Sequence, residues 1–435
     1  MCAIRGARPH PNKFLRTWRA RFAVWLAYLC LLSPAIAQQG LPLTLVEAEA
    51  LALEAEPGQA ALMATADALA EQAVAAGQLP DPTLRVGLAN FPLQSGGFTT
   101  EGMTQGQLGV RQAFPPGKTR SLSTQQFRSM SAEMRESADG RRRDVLTSVR
   151  KAWLNAWYWD RAHSVVTESR PYFADLVTVA RSLYSVGKKN RQDVLRAELE
   201  LSRLDERLIG IEQERARARA ALSQWVGDES QRAIAPQLPP WTGVPDDGFL
   251  SEQLSKHPAL QAAGARIDAR EAAVRLAEER YKPGWALDLG YGYRDGFLPD
   301  GSPRSDFVSL SVTVELPFFR KNRQDRRFAA ALSERRAAVE SREELLRRLA
   351  SQLETELARW RELDRRLDLY QQRILVLADD QASAALDAYR SDAGDFADVM
   401  RGVIDRLNAQ LDVVRLQSER AQSYAVIANL GGLPQ

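Results

Sequence analysis

Two short stretches break an otherwise helical pattern, and each comes twice. In residues 83–91 Leu84, Val86 and Leu88 alternate with Arg85, Gly87 and Ala89, and a Gly/Thr-rich loop at 92–104 leads to a second such run at 105–114. In residues 285–294 Trp285, Leu287, Leu289, Tyr291 and Tyr293 alternate with Ala286, Asp288, Gly290, Gly292 and Arg294. Beyond the turn-rich loop 295–305, Val308, Leu310, Val312, Val314 and Leu316 oppose Ser309, Ser311, Thr313 and Glu315 in 307–316. A period of two with one greasy face predicts four strands. Pro80 and Pro82 stop an Ala-rich helix at 58–78 before the first pair, and Pro283 stops its counterpart at 259–281 before the second. Elsewhere the period is helical. Leu353, Leu357, Trp360, Leu363, Leu367, Tyr370, Ile374 and Leu377 step by three or four, as do Leu208, Ile211, Arg215, Ala218, Leu222 and Trp225. These are near-heptad seams. A helix from about 118 to a turn near 185 would be about 100 Å long at 1.5 Å per residue, and Pro171 is expected to kink or interrupt it.

The chain reads as a duplication. Pro57 pairs with Pro258 and Pro82 with Pro283 at an offset of 201, then Tyr184 with Tyr389, Val194 with Val399 and Gly227 with Gly432 at an offset of 205. The expected organisation is a leader at 1–37, a first repeat at 38–227, a linker at 228–250 and a second repeat at 251–435. Each repeat runs helix, strand, strand, long helix, long helix.

The leader changes the charge. Arg5, Arg8, Lys13, Arg16, Arg19 and Arg21 precede the apolar run 22–32, and the small residues at 35–37 offer a cleavage point before Gln38. That is the pattern of a secretory signal peptide. It holds six of the 58 basic residues and none of the 55 acidic ones, so the formal charge of +3 becomes about −3 afterwards. Nucleic-acid binding then loses its main electrostatic argument. Both cysteines, Cys2 and Cys30, leave with it, so the mature chain has neither disulfide nor thiolate metal site. Tyr28 and Leu29 before Cys30 do not fit a lipoprotein signal. No later run of eighteen apolar residues exists, so any contact with a membrane is made without a transmembrane helix.

Strands of about ten residues with one apolar and one small or polar face, fringed by Phe91, Phe114, Phe307, Phe318 and Phe319, suit a lipid-facing β-barrel. A soluble hairpin packed on a core is the alternative. Four strands cannot close a barrel, and a sheet in hydrocarbon can leave no edge, so the chain must share a barrel with copies of itself. Three copies supply twelve strands.

Signal peptide, duplicated strand pairs, and the turns "LYSVGKKNRQDVLRAELEL" (183–201) and "AYRSDAGDFADVMRGVIDRLNAQL" (388–411) together resemble the TolC-type outer-membrane efflux channel family over essentially the whole mature chain. The stretch from "LPDPTLRVGLANFPLQ" to "AFPPGK" is similar to channels serving heavy-metal efflux pumps. The resemblance implies a mainly α protein with a small membrane β part. It implies a homotrimer whose twelve-stranded outer-membrane barrel continues into a long coiled-coil tunnel in the periplasm. Its partners would be a periplasmic adaptor (membrane fusion) protein, an inner-membrane efflux pump and outer-membrane lipid, with no nucleic acid and no cofactor. By the same resemblance Ser185, Val186, Gly187, Lys188, Ala393 and Gly394 form the adaptor contact, whereas a helix C-cap at Gly187 is the plain alternative. Asp398 matches the residue lining the family's narrow entrance. Asp392, Asp395 and Asp398, spaced by three, would lie along one helix face as a gate, opposite the basic tip of Lys188, Lys189 and Arg191. The family's second gate acid is replaced by Arg401, which could instead neutralise Asp398; a solvated tip without gating remains the other reading.

No enzymatic constellation stands out. There is no G-x-S-x-G, P-loop or H-E-x-x-H, and the carboxylates of 333–366 sit in Glu/Arg-rich helix that reads as solvated surface. "RRR" at 141–143 reads the same way, and Trp153 and Trp157 read as inter-helix packing. His163 and His257 are far apart and offer no metal site of recognisable spacing. A periplasmic coiled-coil adaptor or structural protein would also be secreted and heptad-rich. It needs only one helical hairpin, however, and no amphipathic strand pairs.

Overall fold

The computed structural model describes residues 41–241 and 243–433, so the leader lies outside the described residues. The elements come as two matching series. The first is α1 (Leu45–Glu54), α2 (Pro57–Ala76), β1 (Thr83–Ala89), β2 (Gln105–Phe114), α3 (Thr119–Ser185) and α4 (Arg191–Val226). The second is α5 (Asp247–Ser255), α6 (Pro258–Glu279), β3 (Trp285–Tyr293), β4 (Phe307–Val314), α7 (Gln324–Leu369), α8 (Leu375–Arg390) and α9 (Phe396–Gly431).

Local chemistry explains the boundaries. Thr44 Oγ1 accepts the N–H of Glu47 at 3.2 Å and starts α1. Pro57 and Pro258 each hold the first position of a helix, where the missing N–H costs nothing. Asn90, at φ 57, ends β1 two residues short of the expected strand; its side chain donates to the Met103 carbonyl at 3.1 Å and its own carbonyl accepts from Thr104 Oγ1 at 2.9 Å.

Helix α3 is 67 residues long, about 100 Å. Pro171 does not interrupt it. The proline sits exposed on one face while Val166 and Phe173 are buried on the other, so the lost hydrogen bond is at the wet side and packing carries the helix through. The matching piece of the second series is α7, one π turn (Tyr370–Ile374) and α8, of 46, 5 and 16 residues, together the length of α3. The π turn corrects the expected seam. Leu353, Leu357, Trp360, Leu363 and Leu367 are buried as the heptads require, but the extra residue rotates the turns beyond it. Leu377 is therefore 55% exposed, and the buried row resumes at Ala382, Leu386 and Tyr389. The cores form strings along the helices: one around Trp153 and Trp157 near α1, one near α5 and Trp360, and one toward the far end around Phe173, Tyr389 and Phe396. The indole N–H groups of Trp153 and Trp157 donate to the carbonyls of Leu43 and Pro236 at 3.0 and 2.9 Å.

The strands form one antiparallel sheet in the order β1-β2-β3-β4, with β2 of the first series paired to β3 of the second. The helices all join at one end of it, where Phe114 is opposite Trp285 and Trp285 opposite Val314.

Candidate functional site

The register builds two unlike faces. One row crosses Val86, Leu108, Tyr291 and Val308, and the next crosses Leu84, Val110, Leu289 and Leu310. Leu84, Val86, Leu289, Val308 and Leu310 are all more than half exposed, so a continuous apolar face is uncovered. The other face brings Arg85, Gly109, Gly290 and Ser309 into one row and Thr83, Arg111, Asp288 and Ser311 into the next. There Arg111 lies 3.9 Å from Asp288, whose carboxylate also accepts from Thr313 Oγ1 at 3.3 Å. Phe307 belongs to this polar face, against Gly292 and beneath the Arg294 guanidinium 3.8 Å from its ring centre, and not to the apolar fringe where the sequence put it. The outer edges of β1 and β4 have no strand beside them among the described residues.

The second candidate region is the far tip of the helices. At the end of α3, Gly187 takes φ 75, with the N–H of Lys188 on the Leu183 carbonyl and that of Gly187 on the Tyr184 carbonyl, both at 3.0 Å. That is a Schellman cap. Ser185, Val186, Gly187 and Lys188 are exposed around it, and a side chain at Gly187 would meet nothing within 4 Å. At the end of α8 the same cap recurs, with Ala393 N–H on the Ala388 carbonyl at 2.8 Å and Asp392 in the left-handed position at φ 63. Ala393 is exposed, while Gly394 packs so closely that a Cβ there would lie 3.0 Å from Ala388 Cβ.

This geometry corrects the expected acidic face. Asp392 is in the turn, Asp395 is the residue before α9, and only Asp398 is within the helix, so the three do not share a helix face. Asp398 and Arg401, both well exposed, lie 3.3 Å apart as an ion pair.

Sequence reasoning missed how the two tips join. Lys189 Nζ is 2.5 Å from Asp392 Oδ1 and 4.8 Å from the centre of the Tyr389 ring. Tyr389 is buried and its hydroxyl donates to Asp193 Oδ2 at 3.2 Å. Burial first, then the Asp193 charge, pushes the Tyr389 phenol well above the usual range. The Lys189 hydrogen bond and charge, with Lys188 adding to them, hold the Asp392 carboxyl below its usual range. The legible signal was the offset of 205, which sets Asp392 against Gly187 and so marks a residue at a glycine's position.

A family model described as outer membrane efflux protein matches residues 249–433, from within α5 through α9. Over those residues, the second half of the chain, the sequence is similar to the outer membrane efflux protein family. The fold of such channels extends over nearly all of it. The outer membrane protein VceC from Vibrio cholerae is 19% identical with a TM-score of 0.75, covering 89% of this chain and 96% of VceC. CusC, solved in a study of transmembrane channel formation, is 14% identical at a TM-score of 0.76, covering 89% and 92%. The MtrE channel of Neisseria gonorrhoeae, solved in its open state, is 16% identical at a TM-score of 0.72, covering 89% and 88%. No curated protein sequence matches the chain. The family match over the second half and the fold of these channels over nearly all of the chain support a place in the outer membrane. No helix among the described residues is long and apolar enough to cross a membrane.

Proposed function

We propose that three copies of the mature chain, freed of residues 1–37, assemble into one exit duct. Their sheets join edge to edge as a twelve-stranded barrel, and their helices continue it as a tunnel into the periplasm. The observation that carries this reading is the sheet itself: an apolar face that nothing among the described residues covers, on four strands whose two outer edges have no strand beside them there. In hydrocarbon each unpaired backbone group costs several kcal/mol, so such a sheet persists there only when closed. The polar face that carries Arg85, Arg111 and Asp288 then lines water. The helix–strand units are proposed at 38–227 and 251–435 with 228–250 between them, except that α5 already begins at Asp247, so the second unit starts four residues before its expected bound.

The duct is passive and takes its cargo from an inner-membrane pump through a periplasmic adaptor. Heavy-metal cations are the cargo class to test first, since the strand region is similar to channels of that branch. The adaptor docks at Ser185, Val186, Gly187, Lys188, Ala393 and Gly394, where the exposed small residues Ser185, Gly187 and Ala393 let a partner helix approach the backbone. Asp398 narrows the entrance with its mates from the other copies. Each carboxylate has Arg401 beside it, so the ring is one of ion pairs rather than bare charges. In planar bilayers Asp398→Ala is expected to raise single-channel conductance and weaken divalent-cation block, and Arg401→Ala to strengthen the block. Unchanged conductance and block in both assembled variants would refute the gate, and absence of any channel in the wild type would refute the duct.

A further inference from the structure

The two rims of the sheet differ in what their cations do. At the loop rim, Arg294 donates to the carbonyls of Ser305 and Gly102 at 2.8 and 3.2 Å, and Arg304 to those of Thr99 and Asp295 at 3.1 and 3.2 Å. Those guanidiniums are consumed in holding the loops. Acids dominate around them: Glu101, Asp295, Asp300 and Asp306 share that rim.

At the helix rim the turn after β4 reads "PFFRKNR", residues 317–323. Phe318 and Phe319 are 75% and 80% exposed, the highest of the aromatic side chains among the described residues. Arg320 is anchored, with its Nε–H on the Pro317 carbonyl at 3.0 Å and its guanidinium 5.8 Å from the centre of the Tyr281 ring. Lys321 and Arg323 beside it are exposed, and neither side chain has a hydrogen-bond or ion-pair partner among the described residues. The nearby acids are engaged. Asp325 accepts from the Tyr281 hydroxyl at 2.7 Å, and Glu279 is held by Lys282 Nζ at 2.6 Å and the Lys118 N–H at 2.9 Å. Among the described residues of this turn, only Glu315, at the end of β4, is free to offset them.

We infer that Phe318, Phe319, Lys321 and Arg323 form a binding surface for anionic phospholipid, the rings entering the acyl boundary and the cations meeting the headgroup phosphates of the leaflet that faces the helices. The inference rests on the proposed membrane placement of the sheet. Paired aromatics beside free cations at the foot of an apolar band are the chemistry of that interface, where a cation near anionic lipid favours binding roughly fivefold. Charge complementarity singles out this leaflet, because the opposite rim offers acids instead.

Trp285 reports on it. It stands at the foot of β3, 43% exposed and stacked on Phe114 at 4.0 Å, whereas the other tryptophans among the described residues lie on α3, α4, α7 or the linker. The full mature protein is reconstituted into vesicles of zwitterionic lipid containing a fixed fraction of brominated lipid, either phosphatidylcholine or phosphatidylglycerol. The expected result is stronger quenching by the anionic brominated lipid, falling to about equal quenching in Lys321→Gln/Arg323→Gln and unchanged in Arg304→Gln. Trp285→Phe should abolish the quenching and so confirm the reporter. Equal quenching by the two lipids in the wild type, or an undiminished preference in the folded double variant, overturns the lipid surface. No quenching by either lipid would overturn the membrane placement itself.

Discussion

Leu289→Arg separates a lipid-facing sheet from a water-facing one. Leu289 is the fifth of nine residues in β3, flanked in register by Val110 and Leu310, and 54% exposed. On a soluble surface a half-exposed leucine with no cavity behind it would change stability by about 0.5 kcal/mol or less on substitution. A strand of this length rises about 30 Å, and a tilt near 45° reduces that to roughly 21 Å, close to the height of a barrel's apolar band. The residue then sits near mid-depth, where an outward arginine costs about 2–4 kcal/mol in each chain. A symmetric trimer carries the cost three times. The assay is the temperature at which the trimer dissociates on unboiled gels, together with folded yield in vesicles, against Ser311→Arg on the opposite face. Leu289→Arg should lower both sharply, and Ser311→Arg should leave assembly intact while altering conductance. A Leu289→Arg protein with the dissociation temperature and yield of the wild type would refute the lipid-facing assignment.

The other expectations concern the helices. Val186→Asp should leave a folded protein in the membrane while abolishing efflux and crosslinking to the adaptor; normal efflux would dismiss the contact. Asp392→Gly relieves a left-handed residue but removes the partner of Lys189, so amide exchange should quicken around 189–193 and 389–396, and unchanged exchange would mean the pair does not tie the tips. His257 caps α6, its Nδ1 accepting from the Ala259 N–H at 3.2 Å while Nε2 faces Asn429 Oδ1 at 3.4 Å. Burial, with the Arg143 charge adding to it, lowers its pKa below 6.5. The unfolded chain therefore binds the proton first, so stability should fall as pH drops below about 6.5, and His257→Gln should flatten that slope in thermal melts.

The fold was legible where a period was long and uninterrupted. Four runs of strict alternation fixed the strands and which face is apolar, and prolines at 57 and 258 marked equivalent helix starts. What escaped depends on contacts distant in sequence or on single-residue geometry. A π turn at Tyr370–Ile374 inserts one residue into an otherwise regular seam, and nothing in that heptad pattern announces it. Phe307 was assigned by its aromatic character although its odd position puts it with Ser309 and Ser311. At the tips, charge counting found opposite signs at Lys189 and Asp392 but read them as separate surfaces, because only the packing of α3 and α4 against α8 and α9 brings them to 2.5 Å. Spacing by three suggested one helix face for Asp392, Asp395 and Asp398, and the cap that ends α8 removes the first two from any helix.

The central claim is that one sheet of four strands is a third of a closed barrel, and the particle mass tests it most directly. Light scattering with detergent-corrected mass on the solubilised mature protein should give three chains per particle at all concentrations where it stays folded. A stable, folded monomer, with both edges of its sheet left open, would contradict the account.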